Sequence, residues 1–287
     1  MDGPLLVSGA SGQLGRLTAV LLLAAGEEPI LGTRTPEAVA DLDCETRVGD
    51  YGEPDSLRDA YAGAERVLLI SSPDLETRTE QHRAAIAAAA SVGVRHVVYT
   101  SGLNPEPPNP AVISASHYAT EQALAASGLA WTVLRDSLYS EYQVPEAAQA
   151  IAAGTLTHNR GDGQIAYVSR RDCAAVAAAV LTGSGHEGHV YDVTGPELFT
   201  AGALAALYSE LGGREVRDDP VDDEAFTEML AGAFGGSGDE HARYGAELVA
   251  SFGRSIREGY MASRSDAVER LTGRPPRTLR SILEAAL

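Results

Sequence analysis

Three glycines, Gly9, Gly12 and Gly15, follow a short apolar run near the N-terminus and precede an apolar helical pattern. Gly9 suits a sharp turn with positive φ, Gly12 leaves room for a pyrophosphate beside the backbone, and Gly15 lets the helix pack closely on its strand. Free N–H groups at a helix start attract phosphate, helped by the helix dipole. The spacing therefore predicts a nucleotide-binding turn, and a glycine-rich turn without a ligand is the alternative.

Arg34 follows a second apolar run, Glu28 to Thr33, which predicts a second strand. Enzymes that use NAD usually carry Asp or Glu at this place to hold the ribose 2′-OH. An arginine instead matches a 2′-phosphate through its planar, charged fork. We therefore expect NADP(H) rather than NAD(H), with Arg16 as a possible second phosphate contact and a solvated surface charge as the alternative for Arg34.

Strand and helix patterns alternate along the first half of the chain. Such alternation predicts βαβ units and a parallel sheet, in which ligands bind beyond the carboxyl ends of the strands. Six expected strand ends supply residues to this edge: 9–12, Arg34, 50–51, 71–73, 100–102 and 136–139. Together they predict one cleft.

The alternation loosens after about residue 139, where helical patterns dominate. We predict a Rossmann-type, doubly wound α/β domain over residues 1–140, and residues 150–195 are expected to contribute further strands and a helix to it. Residues 196–287 are expected to form a smaller, mainly helical substrate lobe. Ser169 is expected to cap one helix, and Ser114 or Ser116 another. The glycine-rich stretch 235–238 is either a lid hinge or a plain linker.

The composition excludes several function classes. A formal net charge of −18 argues against nucleic-acid and anionic-membrane surfaces. There is neither a bilayer-length apolar run nor a secretory signal pattern, so a cytoplasmic location is expected. Cys44 and Cys173 form neither a disulfide framework nor a zinc site, and we expect both to be small apolar fillers in a protein without a metal.

All 22 basic residues are arginine, since the chain contains no lysine. This excludes the Tyr-x-x-x-Lys pair of ordinary short-chain dehydrogenases, and Tyr118 is indeed followed four positions later by Gln122. Without that lysine, the usual proton donor for ketone reduction is missing. Acceptors that need little acid assistance, such as quinones and triarylmethyl cations, are therefore favoured.

Short motifs along nearly the whole chain resemble the NmrA-like atypical short-chain dehydrogenases, and among them the bacterial NADPH-dependent quinone oxidoreductases and triphenylmethane reductases. The residues that carry the resemblance are Gly9 to Gly15, Arg34, Gly49-Asp50-Tyr51, Leu68 to Ser71, Tyr99-Thr100-Ser101, His117, Thr120-Glu121, Leu134-Arg135, Tyr139, Arg170, Asp172, Gly185 to Gly188 and Gly273-Arg274-Pro275.

The resemblance implies a Rossmann domain with a C-terminal substrate lobe and NADP(H) bound by the glycine turn, with Arg34 on the 2′-phosphate. It also implies that residues 71–73 and 136–139 border the nicotinamide. The expected cofactor-binding residues are Gly9, Ser11, Gly12, Gln13, Leu14, Arg34, Asp50, Tyr51, Ser71, Ser72, Pro73, Thr100, Ser101, Asp136, Ser137 and Leu138. Asp136 stands where the family usually has Asn.

His117 and Tyr139 are the candidate catalytic residues, either contacting the substrate or donating a proton. A surface or capping role for His117 and core packing for Tyr139 are the alternatives, and Tyr118 is a weaker candidate donor. Arg170 is expected to bridge to a carboxylate such as Asp172 or Glu141.

These features predict an NADPH-dependent oxidoreductase that transfers hydride directly to a quinone-like or other conjugated aromatic acceptor. The expected partner is a small aromatic substrate, and the protein is expected to be a monomer or homodimer. A pathway-specific reductase of an aromatic metabolite and a non-catalytic NADP(H) sensor are the alternatives.

Overall fold

The computed structural model describes residues 3–236 and 238–287. Ser237, in the predicted hinge stretch, lies outside the described residues. The strands are β1 Leu5–Ser8, β2 Ile30–Thr33, β3 Thr46–Val48, β4 Arg66–Leu69, β5 His96–Gly102, β6 Ala130–Asp136, β7 Thr155–His158, β8 His189–Val193 and β9 Arg217–Pro220. The helices are α1 Gln13–Ala24, α2 Pro54–Tyr61, α3 Arg78–Ser91, α4 Ser114–Ala125, α5 Gln143–Ala153, α6 Arg170–Thr182, α7 Ala201–Gly212, α8 Asp223–Phe234, α9 Glu240–Arg257, α10 Ala267–Thr272 and α11 Leu279–Glu284.

Seven strands form one parallel sheet in the order β3-β2-β1-β4-β5-β6-β8. This confirms the predicted doubly wound sheet. The strand order reverses between β1 and β4, which is the point where open α/β sheets bind ligands. The glycine turn leaves β1 at this point, so the topology alone places it in the ligand crevice.

Helices cover both faces of the sheet. One core cluster joins α1, α6 and α10 to residues such as Val7 and Leu68, and a second joins α2, α3 and α4 to residues such as Leu6 and Leu69. Successive residues of one strand thus pack into core clusters on opposite faces of the sheet. Because both faces are buried, the sequences of these strands are continuously apolar. Cys173 lies buried in the first cluster and Cys44 packs against it, both as free thiols.

A third core cluster lies under the later helices. It includes residues of α5, α7, α9 and α11 together with Leu103, which directly follows β5. Residues 150–195 return α6 and β8 to the main sheet, while α10 packs on α6. The domain boundaries at residues 140 and 196 stay predictions. No helix in the described part of the chain is long and apolar enough to cross a bilayer.

Two short strands, β7 and β9, form a separate parallel pair. The sequence did not predict β9, because its four residues are exposed and include an arginine and two aspartates. The stretch 165–168 makes two isolated bridges, from Ile165 to Phe199 and from Val168 to Tyr139.

Of the two predictions that a serine caps a helix, one is confirmed and one is wrong. Ser169 Oγ accepts a hydrogen bond from the Asp172 N–H at 3.0 Å and so caps α6 as expected. At α4 the expectation was wrong, because Ile113 is the N-cap residue and already has helical dihedral angles. The Ser116 hydroxyl instead donates to the Ile113 carbonyl at 2.8 Å.

Candidate active site

The turn between β1 and α1 requires its glycines. Gly9 has a φ of +74°, and the Gly12 N–H donates to the Gly9 carbonyl at 3.0 Å. A Cβ on Gly15 would lie 2.4 Å from the Gly9 oxygen and 2.9 Å from the Ala10 Cα. The helix therefore approaches the turn more closely than any side chain allows, and a Cβ on Gly12 would also crowd the Gly9 oxygen at 3.2 Å.

The backbone N–H groups at the start of α1 are not occupied by a capping side chain. Its N-cap, Gly12, has no side chain to cap the helix, and the first turn has no acidic residue. Ser11 and Gln13 are exposed, whereas Leu14 is buried in the core. Ser11 Oγ accepts a hydrogen bond from Thr33 Oγ1 at 2.8 Å, which joins the turn to the end of β2. An anionic phosphate fits this arrangement.

The two arginines predicted to bind phosphate differ in their surroundings. Arg34 is exposed directly after β2, and across residues 3–236 and 238–287 its side chain has no ion-pair or hydrogen-bond partner. Arg16 forms an ion pair with Asp41 and donates to the Ala38 carbonyl at 3.2 Å. The hydrogen bond to Asp41 raises the pKa of Arg16. Arg34 is therefore the available cation beside the turn.

Tyr51 crosses the ends of the central strands. It follows β3, and its hydroxyl donates to the Ile70 carbonyl after β4 at 2.9 Å. Since β2 and β1 lie between β3 and β4, this side chain passes over their ends. Burial raises its pKa well above the ordinary value. Asp50 shapes the same segment by accepting the Gly52 N–H at 2.9 Å.

The backbone after β4 is held by neighbouring side chains. The Ser71 N–H donates to Thr100 Oγ1 at 3.0 Å, and the Ser72 N–H donates to His82 Nε2 at 2.9 Å. The Ser72 carbonyl accepts from Arg78 Nε at 2.6 Å. These contacts fix the orientation of residues 71 and 72, while Pro73 is exposed.

His82 is neutral, and its contacts define its tautomer. Because Nε2 accepts a backbone N–H, the ring proton lies on Nδ1, which donates to Thr120 Oγ1 at 2.9 Å. Thr120 passes a hydrogen bond on to the Ser116 carbonyl at 2.8 Å. Burial, with a smaller effect from Arg78, lowers the pKa of His82 to about 3.

His117, a predicted catalytic residue, is 5% exposed on α4 and is neither a surface residue nor a cap. Its Nδ1 lies 2.8 Å from the Tyr99 hydroxyl, which is 3.2 Å from Ser71 Oγ. Burial lowers the pKa of His117 well below its usual value, helped by Arg78, and burial raises the pKa of Tyr99 to about 12. Both groups are therefore neutral at physiological pH.

The predicted catalytic Tyr139 lies at the other side of the cleft, after β6. Its hydroxyl donates to Asp136 Oδ2 at 3.3 Å, and its ring faces the Arg170 guanidinium at 4.7 Å. Arg170 does not bridge to a carboxylate as expected. Glu141 accepts the backbone N–H of Arg170 at 3.0 Å, and Asp172 accepts the Arg277 N–H at 2.8 Å. The guanidinium is instead free to stack on aromatic rings.

Two neighbouring residues at the end of β6 each have a buried polar atom without a partner. Asp136 Oδ1 and Ser137 Oγ have no hydrogen bond within the described part of the chain. Burial raises the pKa of Asp136 to about 7, although Cys173 and Tyr139 oppose the shift. Unsatisfied buried polar atoms are rare in native proteins and indicate a missing ligand or water. Together with the glycine turn and Arg34, they fit a bound dinucleotide.

Arg135 and Glu121 form a network that the sequence did not reveal. Arg135 contacts both Glu121 oxygens, at 3.0 and 2.7 Å, and Glu106 at 2.5 Å. Ser101 Oγ donates to Glu121 Oε1 at 2.6 Å. Because the Ser101 hydroxyl already donates to Glu121, a ligand could contact Ser101 through its backbone. Arg78 is a second residue that sequence patterns missed, since it reads as an ordinary polar residue at a helix start.

The family model for NAD(P)H-binding proteins matches residues 9–184. The chain belongs to this NAD(P)H-binding family. Quinone oxidoreductase 2 of Escherichia coli strain K12 is 33% identical over 278 residues, or 95% of both chains. A Streptomyces griseus protein named (4-alkanoyl-5-oxo-2,5-dihydrofuran-3-yl)methyl phosphate reductase is 36% identical over 283 residues. This alignment covers 96% of this chain and 95% of the relative.

Solved structures agree with this assignment. The Escherichia coli NADPH-dependent quinone oxidoreductase complexed with NADPH has a TM-score of 0.91 at 32% identity, covering 98% of this chain and 99% of that one. The Citrobacter sp. triphenylmethane reductase complexed with NADP(H) has a TM-score of 0.90 at 32% identity, covering 99% of this chain and 100% of that one. The chain is thus an NAD(P)H-dependent oxidoreductase related to quinone and triphenylmethane reductases, which confirms the predicted family, fold, enzyme class and NADP(H) cofactor. The individual site residues stay predictions.

We expect Asp136→Asn to stabilise the cofactor-free protein increasingly as the pH rises. Between the ordinary pKa of an aspartate and the folded value of about 7, the folded protein keeps a proton that the unfolded chain has lost, so wild-type stability falls with rising pH. From pH 5 to pH 8, the free energy of unfolding of the variant should rise relative to wild type by roughly 2 kcal/mol.

Urea denaturation at the two pH values measures this difference. The exposed Asp162→Asn is the matched control and should change stability equally little at both. A gain for Asp136→Asn that is the same at both pH values would contradict the assignment.

Proposed function

We propose that the protein is an NADPH-dependent reductase that transfers hydride directly to a quinone-like or other conjugated aromatic acceptor. The observation that carries this proposal is the neutral state of His82, His117 and Tyr99 beside the end of β4. The groups beside the end of β4 include no acid with a pKa near 7, which favours acceptors whose oxygens or cationic centre accept electrons without prior protonation. Asp136, with a pKa of about 7, lies at the end of β6 on the other side of β5. The similarity to a quinone oxidoreductase and to a triphenylmethane reductase supports the same acceptor class.

Residues at the carboxyl ends of the strands would hold the cofactor. In this proposal Arg34 binds the 2′-phosphate, and the turn from Gly9 to Leu14 binds the pyrophosphate. Asp50 and Tyr51 lie beside the adenosine half. The nicotinamide is bordered by Ser71, Ser72, Pro73, Thr100, Ser101, Asp136, Ser137 and Leu138. When bound, NADPH supplies the hydride, and the protein aligns the acceptor with it in a site from which water is excluded.

His117 and Tyr139 would contact the acceptor from two sides. If the Tyr99 hydroxyl donates to His117 Nδ1, the histidine proton lies on Nε2, and the neutral ring can donate a hydrogen bond without becoming an acid. Tyr139 presents a ring whose face is already polarised by Arg170 and whose hydroxyl is anchored on Asp136. Both side chains would orient the acceptor.

Purified protein shown by absorbance to be free of flavin should oxidise NADPH when given quinones. The panel should include 1,4-naphthoquinone, a substituted benzoquinone and a cationic triphenylmethane dye, with NADPH loss followed at 340 nm as a standard assay wavelength. Each turnover should yield one reduced acceptor per NADPH consumed. Failure with every acceptor, despite measured NADPH binding, would overturn the proposed function and favour a non-catalytic sensor.

Arg34→Ala should reduce the preference for NADPH over NADH, because it removes the cation expected on the 2′-phosphate. The change expected for one charge-assisted contact is about 10-fold or more in the ratio of dissociation constants. Arg16→Ala is the matched control, since Arg16 is already paired with Asp41 and should alter the ratio little. Fluorescence titration measures both, and an unchanged ratio for Arg34→Ala would exclude its proposed role.

Variants of the two candidate catalytic residues should lower turnover without weakening NADPH binding. Tyr139→Phe keeps the ring but removes the hydroxyl, so a loss of about 10-fold in kcat/KM would indicate an orienting hydroxyl. His117→Asn retains a polar group near the Nδ1 position, whereas His117→Gln places one near Nε2. We expect His117→Gln to retain more activity than His117→Asn, and the reverse order would show that the contact of Nδ1 with Tyr99 matters and not a contact of Nε2 with the acceptor.

A pathway-specific reductase is the second candidate. The Streptomyces griseus relative, 36% identical, is named for reduction of an alkanoyl-dihydrofuranone phosphate, which is a conjugated carbonyl compound. A high kcat/KM for one conjugated carbonyl substrate with slow turnover of all simple quinones would favour this candidate.

A further inference from the structure

Arg78 is a buried cation without an ion pair in the described part of the chain. It is the first residue of α3 and is 6% exposed. Its Nε donates to the Ser72 carbonyl at 2.6 Å, but Nη1 is buried and has no hydrogen-bond partner. No carboxylate of the described residues forms an ion pair with it. Leaving a buried charge uncompensated is costly, so this position needs an explanation.

The location of Arg78 increases that cost. The N-terminus of a helix carries a partial positive charge, so a cation there is at the unfavourable end of the dipole. Burial lowers the pKa of Arg78. The rings beside it are neutral, and Arg78 itself contributes to lowering the pKa of His82 and His117. The exposed Asp74 carboxylate partly opposes this lowering of the Arg78 pKa, but it forms no ion pair with Arg78 among the described residues.

Other buried arginines of the described chain have acceptors that explain them. Arg160 pairs with Glu146, and the partly buried Arg135 contacts Glu121 and Glu106. Arg66 donates to the Leu181 and Gly183 carbonyls and so satisfies the C-terminal end of α6. Arg66 and Arg160 also each keep one buried guanidinium nitrogen without a hydrogen-bond partner, but Arg66 contacts two carbonyls and Arg160 has an ion pair. Arg78 differs from them because, among the described residues, its side chain donates to one carbonyl alone and pairs with no carboxylate.

Arg78 lies on the acceptor side of the proposed site. Its carbonyl partner, Ser72, follows β4, and its electrostatic neighbours include Tyr99 of β5 and Tyr244 of α9. The glycine turn, where the cofactor phosphates are expected, follows β1 on the other side of β4 from β5. The neighbours of Arg78 therefore favour an oxygen of the acceptor over a phosphate of the cofactor.

We propose that Arg78 binds the acceptor oxygen that becomes negatively charged on reduction, an inference that rests on the proposed function. Adding one hydride to a neutral quinone gives a hydroquinone monoanion, which then takes one proton from water. The guanidinium would supply Nη1–H to that oxygen while Nε–H remains on Ser72. Arg78 thus selects acceptors that carry an oxygen able to hold negative charge, and it stabilises the charge as it develops.

Arg78→Gln should lower kcat for 1,4-naphthoquinone by about 100-fold, the loss typical of removing one oxyanion donor. The dissociation constant for NADPH should stay unchanged, as should turnover of a cationic triphenylmethane dye, whose reaction centre forms no oxyanion. Arg83→Gln is the matched control, because it removes the same charge from an exposed position of α3. Arg78→Lys keeps the charge without the fork and should retain an intermediate quinone activity.

A ligand measurement on the wild-type complex with NADP⁺ tests the proposal even if Arg78→Gln does not fold. The anion of 2-hydroxy-1,4-naphthoquinone should bind about 10-fold more tightly than the neutral 1,4-naphthoquinone, as expected for one charge-assisted contact. Equal binding of the two compounds would overturn the role of Arg78.

The outcomes separate this inference from the proposed function. If wild type reduces quinones but Arg78→Gln matches Arg83→Gln, the arginine proposal fails and the reductase function stands. If Arg78→Gln weakens NADPH binding and slows the dye and the quinone equally, Arg78 contacts the cofactor, which also overturns the proposal. If wild type reduces no acceptor, the proposed function itself has failed.

Discussion

The close contact between α1 and the turn after β1 is the constraint on which the site depends. Gly15 permits it, since a Cβ there would lie 2.4 Å from the Gly9 carbonyl oxygen. The contact brings the first turn of α1 to the point where the strand order reverses between β1 and β4. The helix N-terminus, Arg34 after β2 and the segment after β4 consequently face one crevice. Without this approach, the same residues would lie at the sheet edge but would not converge on one ligand.

The other end of the crevice is defined by the absence of strong acids. His82 and His117 are buried against aromatic and hydroxyl groups, and Arg78 adds a nearby positive charge that further opposes their protonation. A lysine beside a tyrosine would have supplied an acidic phenol, but the chain contains none. Tyr99 instead has its pKa raised to about 12 by burial. Such groups can donate hydrogen bonds at neutral pH and yet cannot readily give up a proton, which is the basis for proposing acceptors that carry their own activation.

The sequence was sufficient for the sheet and for placing a candidate site at its strand ends, because both depend on local patterns. Apolar runs buried on both faces predicted the central strands, and the strand ends predicted which residues share the crevice. The status of Arg16 and Arg34 could not be predicted, since Asp41, which pairs with Arg16, lies 25 positions away and comes near it only in the fold. Strand β9 is exposed and charged, so its pairing with β7 follows from the packing of the lobe and not from its own pattern. The burial of Arg78 and His117 likewise arises from contacts between separate elements.

Sheet order also explains why two opposite charges remain available in one crevice. Arg78 is attached to the segment after β4, whereas Asp136 ends β6, and β5 lies between these two strands. Neighbouring parallel strands are about 4.8 Å apart, so the segments that follow β4 and β6 are separated by about twice that distance. The structure gives the two side chains no ion pair with each other, and each keeps one buried polar atom without a partner. Had they been on adjacent strands, a mutual ion pair would have satisfied both and left nothing for a ligand. The strand between them therefore keeps a cation on one side and a titratable carboxyl on the other, so that neither group neutralises the other.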